Sequence, residues 1–234
     1  MATTKRKAAT HVQACTTPRH IAIVPEPAPP RALDGGAFAV ALAHTLSGCL
    51  ELGITTLSVQ VWPHGAKDTL CASRATALAA FLRNREAALD QQRVRMQVHG
   101  SGEHVEPLQE ILTTDGVSAR AERLHVNVFA GYDGREELAG AVRQLALNVR
   151  ARRLQSATVG LARLEAALPT HELPPVDLLI QTGGQTALSN FLLSKSAYAE
   201  LLFLDTPWAE FTAADLRRAS EDYAGRLRKF GGLA

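Results

Sequence analysis

The chain has 234 residues, of which 46% are hydrophobic and 21% are charged, and its formal net charge is +2. This length and balance are typical of a single globular domain and exclude a fibrous or largely disordered chain. The charge by itself neither favours nor excludes an anionic partner, and no nucleic-acid partner is predicted. The cysteines Cys15, Cys49 and Cys71 are odd in number and far apart. They exclude a disulfide framework and favour a reducing, cytoplasmic setting.

Residues 1–18 contain the basic run Lys5, Arg6 and Lys7 in a Thr/Ala-rich segment, which predicts a disordered basic tail. Residues 19–234 are predicted to form one domain. The longest apolar stretch, 37–52, is shorter than the ~20 residues that a membrane span requires, and the N-terminus carries no hydrophobic signal segment. We therefore expect a soluble protein, which could still contact a membrane peripherally.

In chain order, a buried strand is predicted at 20–24, where the proline-rich loop 25–30 ends it. Asp34 is a candidate cap for a helix at 36–52. The later patterns predict strands near 55–62, 94–98, 124–130, 176–180 and 201–204, helices near 68–92, 135–153, 155–168, 188–196 and 212–229, and a short helix within 104–120. Alternating strands and helices predict an α/β fold with a central, mostly parallel sheet flanked by helices.

The stretch 177–193 combines a strand, the turn Gly183–Gly184 and a predicted helix start that contains Ser189 and Asn190. Backbone N–H groups at a turn and a helix N-terminus favour an anion such as phosphate. An ordinary tight turn between a strand and a helix explains the spacing equally well. The spacing alone therefore leaves both interpretations open.

The residues of this stretch resemble the C-terminal hallmark of the cis-prenyltransferases, the undecaprenyl diphosphate synthase family. The family pattern is D-L-x-I-R-T-G-G-E-x-R-x-S-N-F followed by A-Y-A-E-L-x-F, and this chain has DLLIQTGGQTALSNF at 177–191 and AYAELLF at 197–203. In addition, PRHIAIV at 18–24 resembles the family's first strand, VNVFAGYDGREE at 126–137 its N-Y-G-G-R-x-E segment, and RKFGG at 228–232 its C-terminal R-R-F-G-G. The resemblance implies the cis-prenyltransferase fold and a Mg²⁺-dependent condensation of isopentenyl diphosphate with an allylic diphosphate.

The loop after the first strand departs from the family pattern M-D-G-N-x-R-W. Its Asp is the family's metal and catalytic carboxylate, and Glu26 is the weak candidate for that role here. Pro27 and Ala28 stand where the family has Gly and Asn, and Pro27 has no N–H to offer a phosphate. Glu26 could also be an ordinary loop residue.

The second departure removes positive charge. Gln181 and Ala187 replace the two arginines of R-T-G-G-E-x-R, and Gln185 replaces its Glu. The resemblance implies that those arginines clamp isopentenyl diphosphate, and neither Gln nor Ala supplies a bidentate cation. Residues 63–67 of this chain correspond to the family's S-x-E-N-W loop, and they also lack the Asn and the Trp of that pattern.

Other family positions are retained. The resemblance implies substrate binding by Ser189, Asn190, Arg135, Arg228, Lys229 and Gly231, and weakly implies a metal-ligand role for Glu200. Of these, Lys229 stands where the family's R-x-G has its Arg, so it keeps the charge but loses the bidentate fork. In the family, the C-terminal R-x-G tail contributes to the neighbouring subunit's site. Ser189 could instead be a helix cap, Arg135 a residue of a helix start, and the basic tail a complement to a helix dipole.

These retained and lost residues lead to a first hypothesis of a non-catalytic subunit resembling the Nogo-B receptor type. It would pair with a catalytic homologue through an apolar face in the 188–229 region and would be inactive alone. The first alternative is a stand-alone prenyl diphosphate synthase with Glu26 in place of the catalytic Asp, as a homodimer. A third possibility is a module that binds a prenyl lipid without chemistry.

Overall fold

The computed structural model describes residues 13–14, 17–26, 35–114 and 123–228. Its elements are β1 Gln13–Ala14, β2 His20–Val24, α1 Gly35–Leu52, β3 Thr56–Pro63, α2 Asp68–Gln91, β4 Val94–His99, α3 Glu106–Thr114, β5 Leu124–Tyr132, α4 Gly134–Arg150, α5 Leu161–Ala166, β6 Leu178–Gln181, β7 Glu200–Phe203, α6 Ala213–Ala224 and β8 Leu227–Arg228. Short 3-10 turns lie at Ser156–Thr158 and Trp208–Glu210.

The main sheet has six strands in the order β4-β5-β3-β2-β6-β7, and every neighbouring pair is parallel. The strand β2 is central and pairs with β3 on one side and β6 on the other. All five of its residues are buried, as expected for a strand covered on both faces. The predicted α/β fold with a parallel sheet flanked by helices is confirmed.

The core has two parts, one on each face of the sheet. Ile21 and Ile23 of β2 belong to the larger cluster, with side chains from α1, α2, α3 and α6. Ala22 and Val24 point the other way, into a smaller cluster that contains Phe191. This division follows from the two-residue period of a strand, which sends successive side chains to opposite faces.

The helix α1 is the one described helix that is long and apolar enough, by length and composition, to cross a membrane. Its side chains Phe38, Leu42 and Cys49 are buried in the larger core cluster.

Three predicted helices differ in the structure. The segment 188–196 forms turns, because Leu192 has a positive φ of 47° and the adjacent Phe191 and Leu192 are both buried. The helix predicted at 155–168 is reduced to a 3-10 turn and α5, which are separated at Gly160. The last helix ends at Ala224, before Gly225.

The chain then continues into β8, which pairs antiparallel with β1. Residues 13–14 and 17–18 of the predicted tail belong to the described part of the chain, while residues 1–12 and 15–16 and the proposed cap Asp34 lie outside it, so the disordered tail stays a prediction.

His20 is buried at the start of β2, where its ring nitrogens lie 2.8 Å from the Pro174 carbonyl oxygen and 2.9 Å from Ser58 Oγ. Burial lowers the pKa of this imidazole from 6.5 to about 4. As the pH falls through 6.5, the unfolded chain binds a proton that the folded chain refuses until about pH 4. The folded state therefore loses stability in this window, by about 2 kcal/mol at pH 5. We expect the free energy of unfolding of His20→Gln, measured by chemical denaturation, to change less between pH 7 and pH 5 than that of the wild type. The same change with pH in the two proteins would contradict the assignment of this pH dependence to His20.

Candidate functional site

The carboxyl ends of the parallel strands bring the candidate residues to one edge of the sheet. Glu26 lies two residues beyond β2, Gln181 ends β6, and Arg135 follows the end of β5. Ligands of open α/β sheets bind in the crevice outside these carboxyl ends. The candidate site is therefore this edge, with Glu26 beside the central strand.

Glu26 is a buried carboxylate, 8% exposed, that connects three segments of the chain. Its Oε2 accepts a hydrogen bond of 2.5 Å from the hydroxyl of Thr182, which directly follows β6. The backbone N–H of Trp208 donates to both carboxylate oxygens, at 3.0 and 2.9 Å. These bonds hold the carboxylate in one position, so Glu26 is part of the framework of the edge and not a free loop residue.

The turn after β6 is shaped by Gly183 and Gly184, whose φ angles are +73° and +72°. A Cβ on Gly183 would lie 2.5–2.8 Å from the side-chain carbons of Glu26, so the backbone approaches the carboxylate more closely than any other residue would allow. The N–H of Gly183 donates to Thr206 and that of Gly184 to Leu204, both at 2.9 Å. Of the two interpretations that the spacing left open, these two amides fit the ordinary tight turn, because both N–H groups are bonded within the chain and are not offered to an anion.

The retained residues Ser189 and Asn190 lie beside the start of α4. Asp133 caps that helix, and its carboxylate accepts the N–H groups of Arg135 and Glu136 at 2.7 and 3.3 Å. Desolvation opposes the ionised form of Asp133, but these bonds and one from the Asn190 side chain leave its pKa lowered. The Ser189 hydroxyl accepts the N–H of Phe191 at 3.3 Å, so it caps a turn and not a helix. The structure thus brings Ser189, Asn190 and Arg135 together.

Access to solvent differs among these positions. The side chain of Arg135 is exposed, while Ser189 and Asn190 are partly buried. A guanidinium that faces solvent at the end of β5 remains available to an anion. The substrate-binding roles of these three residues stay predictions.

The replaced positions also lie at or just beyond the carboxyl edge. Gln181 is 5% exposed, and its Oε1 has no hydrogen-bond partner, whereas Gln185 and Ala187 are exposed. Pro27 and Ala28 lie outside the described residues. Neither the last residue of β6, at 181, nor position 187 in the segment after it therefore carries a positive charge.

Glu200, the weak candidate for a metal ligand, is the first residue of β7 and lies next to Leu178, the first residue of β6. It is therefore at the amino-terminal edge of the sheet, opposite Glu26. Arg226 Nη1 lies 3.2 Å from its Oε2 and also donates to the Leu201 carbonyl at 2.9 Å. Within the chain, the structure does not bring Glu200 and Glu26 into one site.

The described residues do not fit a resident Mg²⁺ cage. They contain no group of three or more His, Cys, Asp or Glu side chains that could hold a metal ion. The oxygens of Glu26 already accept three hydrogen bonds. Mg²⁺ commonly binds through one or two carboxylates together with substrate phosphates, so any Mg²⁺ at this edge would depend on the substrate.

The C-terminal candidates are only partly described. Arg228 belongs to β8, where its backbone pairs with Gln13. Lys229 and Gly231 lie outside the described residues. The proposed role of this tail in a neighbouring subunit stays a prediction.

Sequence reasoning missed Arg74, which is 6% exposed on α2. Its Nη1 donates to the Val61 carbonyl, and its guanidinium carbon lies 4.9 Å from the centroid of the Phe38 ring. The signal was present in the sequence: Leu70, Arg74 and Leu78 are spaced four residues apart, so a charged residue occupies the buried stripe of a helix.

Comparisons with known proteins agree along nearly the whole chain. A prenyltransferase family profile, described as undecaprenyl diphosphate synthase, matches residues 36–231. A ditrans,polycis-undecaprenyl-diphosphate synthase specific for (2E,6E)-farnesyl diphosphate, from Xanthomonas axonopodis pv. citri, is 35% identical over 94% of this chain and 91% of its own length. An isoprenyl transferase from Zymomonas mobilis is 31% identical over 95% of both chains.

Solved structures of two synthases align with nearly the whole chain. Lavandulyl diphosphate synthase from Lavandula x intermedia, in complex with dimethylallyl diphosphate, aligns with a TM-score of 0.81 and 25% identity over 92% of this chain and 98% of its own. A probable undecaprenyl diphosphate synthase from Campylobacter jejuni aligns with a TM-score of 0.74 at 21% identity, over 93% and 100% of the two chains, and supports the fold. With the family profile covering most of its length, the chain belongs to the undecaprenyl diphosphate synthase family of prenyltransferases.

Proposed function

We propose that the protein is a stand-alone prenyltransferase that condenses isopentenyl diphosphate with an allylic diphosphate, with Glu26 as the essential carboxylate. The observation that carries this proposal is the fixed, buried position of Glu26 at the carboxyl end of the central strand. The bonds from Thr182 and the backbone of Trp208 hold the carboxylate ready at the edge where ligands of open α/β sheets bind. The relatives that match over more than 90% of the chain are named as a synthase and a transferase, which supports the same conclusion.

The relatives favour this proposal over the first hypothesis of a non-catalytic subunit, and they give no support to a pseudoenzyme or to a heteromeric partner. One observation still favours the subunit as a second candidate. The residues at 181 and 187 carry no positive charge, and a released diphosphate requires cations to neutralise its oxygens. A subunit that relied on its partner for catalysis would not need them.

The test is prenyl transfer from labelled isopentenyl diphosphate by the purified protein, with allylic primers of several lengths, with and without Mg²⁺. We expect turnover by the protein alone, and a loss of at least about 100-fold in Glu26→Gln, because Gln preserves shape and one acceptor but removes the negative charge. Glu26→Asp, which keeps the charge, serves as the matched control and should retain more activity than Glu26→Gln.

Turnover only after a catalytic homologue is added, and lost on deletion of residues 228–234, would replace this proposal with the subunit. Saturable binding of a prenyl lipid with no turnover in either assay would indicate the binding module. Denaturation curves of each variant distinguish a loss of chemistry from a loss of fold, because Glu26 also holds Trp208.

We further propose that the protein acts as a homodimer, in the cytoplasm or peripherally at a membrane. The 188–229 region presents exposed apolar side chains, namely Leu188, Leu193, Tyr198, Phe203 and Leu227. Exposed apolar side chains in this part of the chain could supply the apolar area that an interface between subunits buries. Light scattering of the purified protein measures the mass directly.

A further inference from the structure

Arg74 is a charged residue in the interior of the protein, close to the candidate site. Its position on α2 is buried, and burial lowers the pKa of its guanidinium to about 10, although the charge of Glu26 opposes this effect. The guanidinium still keeps its proton at neutral pH. Burying a cation costs desolvation free energy unless hydrogen bonds or an anion compensate it, so the charge of Arg74 is expected to lower the stability of the folded protein.

The contacts of Arg74 place it at the carboxyl edge of the sheet. Its Nη1 donates to the carbonyl of Val61, which lies near the end of β3 at an irregular step in the pairing with β5, between Gln60 and Trp62. Bulges of this kind recur beside active sites, where they redirect backbone and side chains. One N–H group of the guanidinium thus holds Arg74 at the end of the strand. A guanidinium has five N–H groups, so others can donate to a further acceptor.

Arg74 and Glu26 are connected through two aromatic residues. The Phe38 ring lies under the guanidinium and 5.6 Å from the Trp208 ring, and the Trp208 indole donates to the Phe38 carbonyl at 3.3 Å. The backbone N–H of Trp208 binds Glu26. Among the described residues, no carboxylate lies within ion-pair distance of Arg74, and Glu26 satisfies its oxygens with uncharged donors.

We infer that Arg74 binds the diphosphate of a substrate, and that it provides the cation that Gln181 and Ala187 do not. This inference rests on the proposed function for the identity of the substrate. A guanidinium forms parallel hydrogen bonds with phosphate oxygens, and the buried site beside Glu26 strengthens them. The charge then comes from α2 instead of from the segment after β6.

Binding of inorganic pyrophosphate, measured by isothermal titration calorimetry, tests the inference without requiring turnover. Arg74→Gln should weaken binding by at least about tenfold, because a hydrogen-bonded charge is lost. Arg74→Lys should fall between the two, since it keeps the charge but loses the fork. The matched control is Arg85→Gln: Arg85 also lies over a phenylalanine ring on α2, 5.4 Å from the centroid of Phe81, but it is exposed. Its removal should leave pyrophosphate affinity unchanged.

Equal pyrophosphate affinity in Arg74→Gln and wild type, or no binding by the wild type, would overturn the inference. A lower melting temperature in Arg74→Gln with unchanged affinity would also overturn it, and would make Arg74 a structural partner of Glu26. The outcomes separate the two proposals. Binding that depends on Arg74 without turnover would retain the inference and refute the stand-alone enzyme, whereas turnover with pyrophosphate binding independent of Arg74 would do the reverse.

Discussion

Gly183→Ala is expected to destabilise the protein by about 2–4 kcal/mol and to abolish prenyl transfer. An alanine at this φ of +73° is strained, and its methyl group would lie within 2.8 Å of three Glu26 side-chain carbons. Glu26 would have to leave its bonds with Thr182 and Trp208. Thermal or urea denaturation measures the first effect, and the prenyl transfer assay measures the second.

The neighbouring glycine provides a closely matched control. Gly184 has almost the same φ, +72°, but the nearest atom to an added Cβ is Asp205 Oδ1 at 3.6 Å, an ordinary contact. Gly184→Ala therefore carries the backbone strain, about 1–2 kcal/mol, without the collision. Equal losses of stability and activity in the two variants would show that Gly183 matters only for its φ and not for its approach to Glu26.

Trp208→Ala is expected to cost about 3–5 kcal/mol, the range found for large aromatic side chains removed from a core. The Trp208 side chain is 2% exposed, packs against Phe38 and stacks on Phe211 with ring centroids 5.6 Å apart. The loss would leave a cavity beside Glu26, so prenyl transfer should fall along with the melting temperature.

Trp208→Phe divides this effect into two parts, because it keeps one aromatic ring in the core and removes the rest of the indole together with the N–H that reaches the Phe38 carbonyl. We expect it to retain more than half of the stability lost in the alanine variant. Phe203→Ala, at a strand residue that is 38% exposed, is the control for removing an aromatic ring and should change stability by less than about 1 kcal/mol. A loss of stability in Trp208→Ala no larger than about 1 kcal/mol would contradict the assignment of Trp208 to the core.

The fold was predictable because burial and periodicity coincide in most elements. The strand β2 is an uninterrupted apolar run that ends at Pro25, and the sheet strands lie within two residues of their predicted positions. The segment 188–196 was not predictable as turns, because its spacing also fits a helix. Its shape is set by tertiary contacts: Phe191 packs edge-on against Phe129 and Tyr132, with centroids 5.1 and 5.8 Å apart.

The site was predictable only where the family motif placed a residue near a strand end. Glu26 was placed at the edge in this way, but its partners were not: the Thr182 hydroxyl and the Trp208 backbone N–H reach Glu26 only because the fold brings residues far apart in the chain together. For Glu200 the motif likewise records only its presence, while its register beside Leu178 puts it at the other edge of the sheet, which the sequence does not show. Arg74 carried no motif and was visible only as a charge in an apolar stripe.

The bond between Glu26 and the Trp208 backbone joins residues 182 positions apart in the chain. Contacts of such high sequence separation close large loops and tend to form slowly. A nascent chain can pair β2 with β3 early, but it cannot satisfy the Glu26 carboxylate until residue 208 has emerged from the ribosome. Assembly of the candidate site is thus expected late in folding, and folding intermediates that already contain the β2–β3 pair would expose the Glu26 carboxylate without its hydrogen-bond partners to solvent.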